Sequence, residues 1–274
     1  MRTLLLLLLT SMLCGSVAAQ ERVARVGQLL WRAEGPYYEL TQRGFVAGLR
    51  EQGFVEGRNL VLLQRSADSD PERFKPLARP GTRVTGATTM NKELTGKRLQ
   101  LLMQVVPGLK RVGVIVDEAM RDACEQEIEA LEASARQLGL TVVYAHIGSA
   151  AEVEPRFRAL VAAGVQAVLS TLTSTRNGLE REYAAAALKY RLPSMFEADY
   201  GTRFGGLMGY GPDLGDVYRR AGNYVGRVLK GEKPAEMPIE EPSRFRLSVN
   251  LQTARALGLT MPPGVMILAD EVIE

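Results

Sequence analysis

The feature that most restricts this chain is a repeat. Arg25 to Leu30 and Arg111 to Val116 both read as strands, and each is followed by a loop, a helical stretch and a glycine placed to end that helix in a left-handed cap. Gly27 and Gly53 are 26 residues apart, as are Gly113 and Gly139, and the two units stand at an offset of 86 residues. After the second glycine of each unit comes another strand, Asn59 to Gln64 in one and Leu140 to His146 in the other. The spacing predicts two lobes of βαβ design, against the alternative of two unrelated units that agree by chance.

Helical periodicity supports the pairing. Leu40, Gly44, Phe45, Gly48 and Leu49 form one apolar stripe over Leu40 to Gln52, and Ile128, Leu131, Ala135 and Leu138 form its counterpart, with Glu125, Glu129 and Glu132 on a solvated face. The second unit then continues through a helix at 152 to 163, a strand Val165 to Ser170, a helix Leu179 to Tyr190 and a strand Leu192 to Phe196. A strand Gly206 to Tyr210 and a helix Asp213 to Lys230 follow. Alternation of this kind predicts an α/β fold with a mostly parallel, doubly wound sheet.

The first unit stops early. Pro71 to Ala78 begins like a helix, but Arg79-Pro80-Gly81 interrupts it, and a further βαβ element of about 30 residues has no room before Val84. The first lobe is therefore expected to be truncated. The domain reading is 1–19 leader, 20–90 shortened N-terminal lobe, 91–241 C-terminal lobe, and 242–274 a crossover strand and C-terminal segment packing back across the lobes.

Composition removes whole classes of function. Of 274 residues 46% are hydrophobic and 24% charged, which argues against disorder and against a many-span membrane protein. The net charge of +3 is mixed along the chain, so no nucleic-acid partner is expected. Cys14, Cys124 and His146 are the whole cysteine and histidine complement, too few for a Cys/His metal site or a disulfide framework. No catalytic residue, cofactor or metal is expected. Arg2, the apolar run Leu4 to Leu13 and the small residues Val17, Ala18 and Ala19 read as a secretory signal peptide cleaved after Ala19, with an uncleaved anchor as the alternative. The expected location is periplasmic.

Several blocks carry a family likeness. Phe45 to Asn59 (FVAGLREQGFVEGRN), Asp70-Pro71-Glu72-Arg73, Leu94 to Arg111 (LTGKRLQLLMQVVPGLKR), Leu207 to Leu214 (LMGYGPDL) and Asn250 to Leu259 (NLQTARALGL), through Ala269-Asp270-Glu271-Val272-Ile273, occur in this order. Together they resemble the ABC-transporter substrate-binding protein family that includes tryptophan- and tyrosine-type binding proteins. The resemblance implies two Rossmann-like lobes of the type I periplasmic-binding-protein kind, closing on an amino acid or similar small ligand. The partners it implies are an ABC permease and its ATPase, with membrane contact only through the permease. The family's block between the Pro71 helix and Arg79 is absent here, which makes a degenerate carrier the counterpart of a working one. The alternative function is an extracytoplasmic sensor or protein-interaction module on the same fold.

In doubly wound sheets ligands meet the carboxyl ends of the strands. Trp31, Glu34, Tyr37 and Tyr38 follow the first strand as an aromatic loop, and Thr88 and Thr89 follow Val84. Asp117 ends one strand of the second unit, Thr171, Thr173 and Ser174 follow the next, and Glu197 and Tyr210 follow two more. The candidate ligand set is Trp31, Tyr38, Thr88, Thr89, Asp117, Thr171, Thr173, Ser174, Glu197 and Tyr210. Bland alternatives stand beside it: a hinge or core role for Trp31, turn chemistry for the threonines, helix capping for Asp117. No G-x-S-x-G elbow is present, and Gly209-Tyr210-Gly211 lacks the third glycine of a dinucleotide loop.

Overall fold

A computed structural model of the chain describes residues 23–30, 33–66, 85–87, 89, 91–117, 125–171 and 178–274. The leader, the interrupted Pro71 helix, Cys124, Trp31, Thr88, Thr173 and Ser174 lie outside these residues.

The first unit contains β1 (Ala24–Leu30), α1 (Gly35–Glu51) and β2 (Leu60–Ser66). The two strands pair in parallel from Ala24 opposite Leu60 to Leu30 opposite Ser66, and among the described residues they make up the whole first sheet. Phe45 and Leu49 of α1 pack on Leu60, with Ala24, Val26 and Leu62 around them. The opposite side of the pair is open: Val61 and Leu63 are 38% and 41% exposed. α1 begins earlier than its periodicity suggested. Gly35, at φ +88°, and Pro36 turn the chain into the helix, so Tyr37 and Tyr38 sit in its first turns and not in a loop.

The second sheet has seven strands in the order β4 (Thr141–Ile147), β3 (Arg111–Asp117), β5 (Ala167–Ser170), β6 (Ser194–Phe196), β7 (Met208–Pro212), β8 (Phe245–Asn250), β9 (Glu271–Ile273). All neighbours are parallel except β7 and β8. β3 lies inside this sheet and is buried from Val112 to Asp117, as a near-continuous apolar run in a parallel sheet should be. Val112, Val114 and Val116 face one side. There they meet Leu99, Leu101 and Leu102 of α2 (Asn91–Val105) and Leu131 and Ala135 of α3 (Glu125–Gln137). Ile115 faces the other side, with Phe157 and Leu160 of α4 (Ala150–Ala162) and Tyr183 and Ala187 of α5 (Glu180–Lys189). Each fully buried Leu or Phe contributes about 1.5–3 kcal/mol.

The repeat glycines do what the spacing predicted. Gly53 and Gly139 have φ +84° and +67°, and the amides of Phe54 and Leu140 turn back to the carbonyls of Leu49 and Ala135.

After β7 comes α6 (Leu214–Leu229), capped by the Asp213 carboxylate, which accepts from the Asp216 amide at 3.1 Å. α6 packs on α1 of the first unit, although the chain reaches it directly from the second sheet. The approach is backbone to backbone: a Cβ on Gly48 would stand 1.8 Å from the Arg219 carbonyl oxygen, and one on Gly222 2.0 Å from that of Phe45. Arg219 then bridges the helices, donating to Glu51 on α1 and Asp216 on α6. A second crossing lies at 85–87, where the Glu240 amide donates to the Gly86 carbonyl and the Thr85 hydroxyl to that of Met237. The C-terminal segment, with α7 (Leu251–Leu257) and α8 (Pro263–Leu268), packs through Ala254, Leu257 and Val265 into the core of the second sheet.

Candidate ligand-binding site

Strand register gathers four of the candidate residues at one edge. Ile115 is opposite Ser170, Val168 opposite Ser194, and Phe196 opposite Gly209. Asp117, Thr171 and Glu197 therefore emerge side by side at the carboxyl ends of β3, β5 and β6, and Tyr210, in the middle of β7, stands level with Glu197 beside them, where an open α/β sheet presents a ligand crevice. Tyr38 stands apart on the first unit, and Thr89 is half-buried in the segment that joins the units.

The side chains at this edge are held by the fold. The Thr171 hydroxyl donates to the Ile115 carbonyl at 2.9 Å. Glu197 is 1% exposed, and its two carboxylate oxygens accept from the Ser170 hydroxyl at 2.9 Å and the Tyr200 hydroxyl at 2.6 Å. These bonds fix the orientation of the carboxylate. Asp117 is also buried. Tyr210 is half-buried with its ring stacked on Phe245, centroids 6.5 Å apart. Burial pushes its phenol above the ordinary value, against the pull of the nearby Arg98 guanidinium.

The first unit brings its own polar row. Tyr38 donates to Gln64 at 3.0 Å, Gln64 to Gln28 at 3.0 Å, and Gln28 to Gln42 at 2.9 Å. Gln28 and Gln64 are opposite each other in register, so this row crosses the strand pair toward its carboxyl end.

Residues that sequence reasoning missed connect the two edges. Tyr200 lies in the 3-10 turn Asp199–Phe204 after β6, and its ring meets Tyr37 of α1 edge-on at 5.9 Å. Tyr37 also shares a hydroxyl hydrogen bond with Tyr218 of α6 at 3.0 Å. An aromatic contact thus runs from the first unit to the group that orients Glu197. Arg98 was missed too, although the signal was available: Leu94, Arg98, Leu101, Leu102 and Val105 share one helical stripe, and a cation among them needs buried partners. Beside the edge, Asp199 pairs with Arg246 at 2.7 Å. Burial still lifts the Asp199 carboxyl above its ordinary value.

The chemistry on offer is recognition by hydrogen bonding, charge and aromatic contact. Among the described residues no group of three His, Cys, Asp or Glu is arranged to hold a metal ion, and no helix is long and apolar enough to cross a membrane. His146 lies in β4 beside Tyr144, their rings 6.1 Å apart.

No curated protein matches the sequence. Among solved structures, a conserved domain protein from Vibrio cholerae is 20% identical with a TM-score of 0.78, the match covering 92% of this chain and 100% of that one. The ABC domain from Streptococcus pneumonia in complex with L-Trp is 20% identical with a TM-score of 0.74, covering 90% and 99%. A carbohydrate transporter solute binding protein from Agrobacterium radiobacter, in complex with D-arabinose, is 13% identical with a TM-score of 0.61, covering 92% and 100%. At these identities the likeness establishes the fold, a mixed α/β architecture of the type I periplasmic-binding-protein kind. The family model described as ABC transporter substrate binding protein matches residues 73–273. That span takes in α2, the whole second sheet and the edge where Asp117, Thr171, Glu197 and Tyr210 stand, and by it the chain belongs to the ABC transporter substrate-binding protein family.

Proposed function

We propose that this protein is the extracytoplasmic solute-binding component of an ABC transporter, exported by the leader at 1–19, and that it binds an amino acid without transforming it. One observation carries the reading. The carboxyl edge of the second sheet, with Asp117, Thr171 and Glu197 at adjacent strand exits and Tyr210 of β7 beside them, meets α1 of the other unit through Tyr37 and Tyr200. A ligand lying there touches both units and favours the state in which it contacts both best. Two carboxylates and an aromatic wall suit an ammonium-bearing molecule better than a neutral sugar. The L-Trp held by the Streptococcus relative supports the same class. The loaded protein then delivers its ligand to a permease and ATPase.

Calorimetric titration of protein purified from the periplasm, with L-tryptophan, L-tyrosine, L-leucine and D-arabinose, tests this. One saturable site for an amino acid is expected, with Kd of about 1 µM, or about −8 kcal/mol. Absence of heat and of thermal stabilisation with all four, from folded protein, overturns it, as does turnover of any of them. The intact mass of the same material reads the leader, whose removal leaves Gln20 as the first residue.

A further inference from the structure

Arg98 is fully buried, and a guanidinium in that position needs several partners to offset its lost hydration. Its Nε donates to the Tyr210 carbonyl at 2.8 Å and its Nη2 to the Glu197 carbonyl at 2.8 Å. Its Nη1 lies 3.8 Å from the buried carboxylate of Glu127 on α3. Burial draws the guanidinium below its ordinary pKa, while Glu127 and Glu197 pull it back.

The location of the two carbonyls matters. The ladder between β6 and β7 ends where Phe196 faces Gly209. Glu197 and Tyr210 are each the next residue, so their carbonyls stand at the fork where the strands part. The chain leaving β6 also presses on β7: Cβ atoms on Gly209 and Gly211 would stand 2.1 Å from the Ala198 carbonyl oxygen and 2.0 Å from that of Glu197. This is the local reason for the Gly-Tyr-Gly run. A planar fork of N–H donors fits such a junction, taking the place of the next ladder rung. An ammonium in its place has no planar fork with which to span both carbonyls.

We propose that Arg98 is a positioning residue for ligand capture: it holds the exit of β6 and the middle of β7 at a fixed separation and so sets Glu197 and Tyr210 in place. Its bearing on capture rests on the reading of this edge as the ligand site. The clamp itself does not.

Hydrogen exchange on Arg98→Met and Arg98→Lys, without ligand, tests the clamp. In Arg98→Met the amides of 197–204 should exchange about tenfold faster, a change worth about 1.4 kcal/mol, while those of Val112–Val116 stay at the wild-type rate. Arg98→Lys should fall between, because one ammonium recovers only part of the junction. Equal acceleration in β3, or none at 197–204, overturns the clamp. If Arg98→Met does not fold, Arg98→Lys decides alone by the same comparison. L-tryptophan titration is the second arm. Binding by wild type and at least tenfold weaker binding by Arg98→Met supports the capture role, and equal binding overturns it. Wild type that binds none of the four titrated compounds contradicts the proposed function and with it the capture role, while the exchange result still decides the clamp.

Discussion

The two sheets of this protein solve the same problem with unequal means. The second has seven strands and is covered by helices on both faces, so its core is built from its own chain neighbours. The first has two strands among the described residues, and its buried apolar core is Phe45, Leu49 and Leu60. A pair of strands is marginal by itself and needs packing from elsewhere. α6 supplies it, arriving from the second sheet and seating on α1 through Gly44, Gly48 and Gly222. The comparison teaches that the first unit depends on a helix fed from the second, whereas the second does not depend on the first.

The largest expected effect falls on the self-sufficient side. Leu102→Ala, at a fully buried position in the second core, should cost about 2–5 kcal/mol and lower the main unfolding transition seen by circular dichroism. A smaller effect, with a different address, is expected from Gly48→Ala. Its new Cβ meets the Arg219 backbone, so about 1–3 kcal/mol should be lost at the α1–α6 junction. Hydrogen exchange should then show faster amides in β1, α1 and β2 with β3 unchanged. Uniform acceleration across both sheets would break the comparison, because it would make the two units one cooperative body.

The smallest effect is a pH dependence. Burial pushes the Asp216 carboxyl up, but hydrogen bonds from Arg219 and Arg220 outweigh it and hold it below its ordinary value of 3.8. A carboxyl depressed in the folded state stabilises fully above the unfolded value and loses that contribution as pH falls through the folded one. Asp216→Asn should therefore cost about 0.5–1 kcal/mol at pH 7 in denaturant titrations, and the difference from wild type should shrink as pH drops below 3.8. A difference that persists undiminished in acid would place the effect outside this ion cluster.

Much of the architecture was legible because it is local. Gly53 and Gly139 end their helices where the repeat put them, and the helix read from Asp213 does begin there, with the Asp213 carboxylate as its cap. The stripe Phe45 and Leu49 was readable as core, but not that Gly44 and Gly48 beside it meet α6, since that contact joins residues far apart in sequence. Tyr37 and Tyr38 read as part of a loop ahead of a helix at Leu40, but α1 begins at Gly35, which moves both into the helix. At the carboxyl edge of the second sheet the ends of β3, β5 and β6 could be counted from the pattern, whereas β7 runs past the expected end at Tyr210 to Pro212. The partners that fix them could not: Ser170 and Tyr200 on Glu197, and Arg98 on the fork, are set by register between distant strands and by one helix crossing beneath them.

A crystal structure of the protein grown with whichever amino acid binds in titration puts the whole account at stake. Ligand density is expected at the exits of β5 and β6 and beside the middle of β7, within hydrogen-bond or ring contact of Thr171, Glu197 or Tyr210 and touching α1. Density on any other surface, with that edge closed by the protein's own side chains, would contradict it.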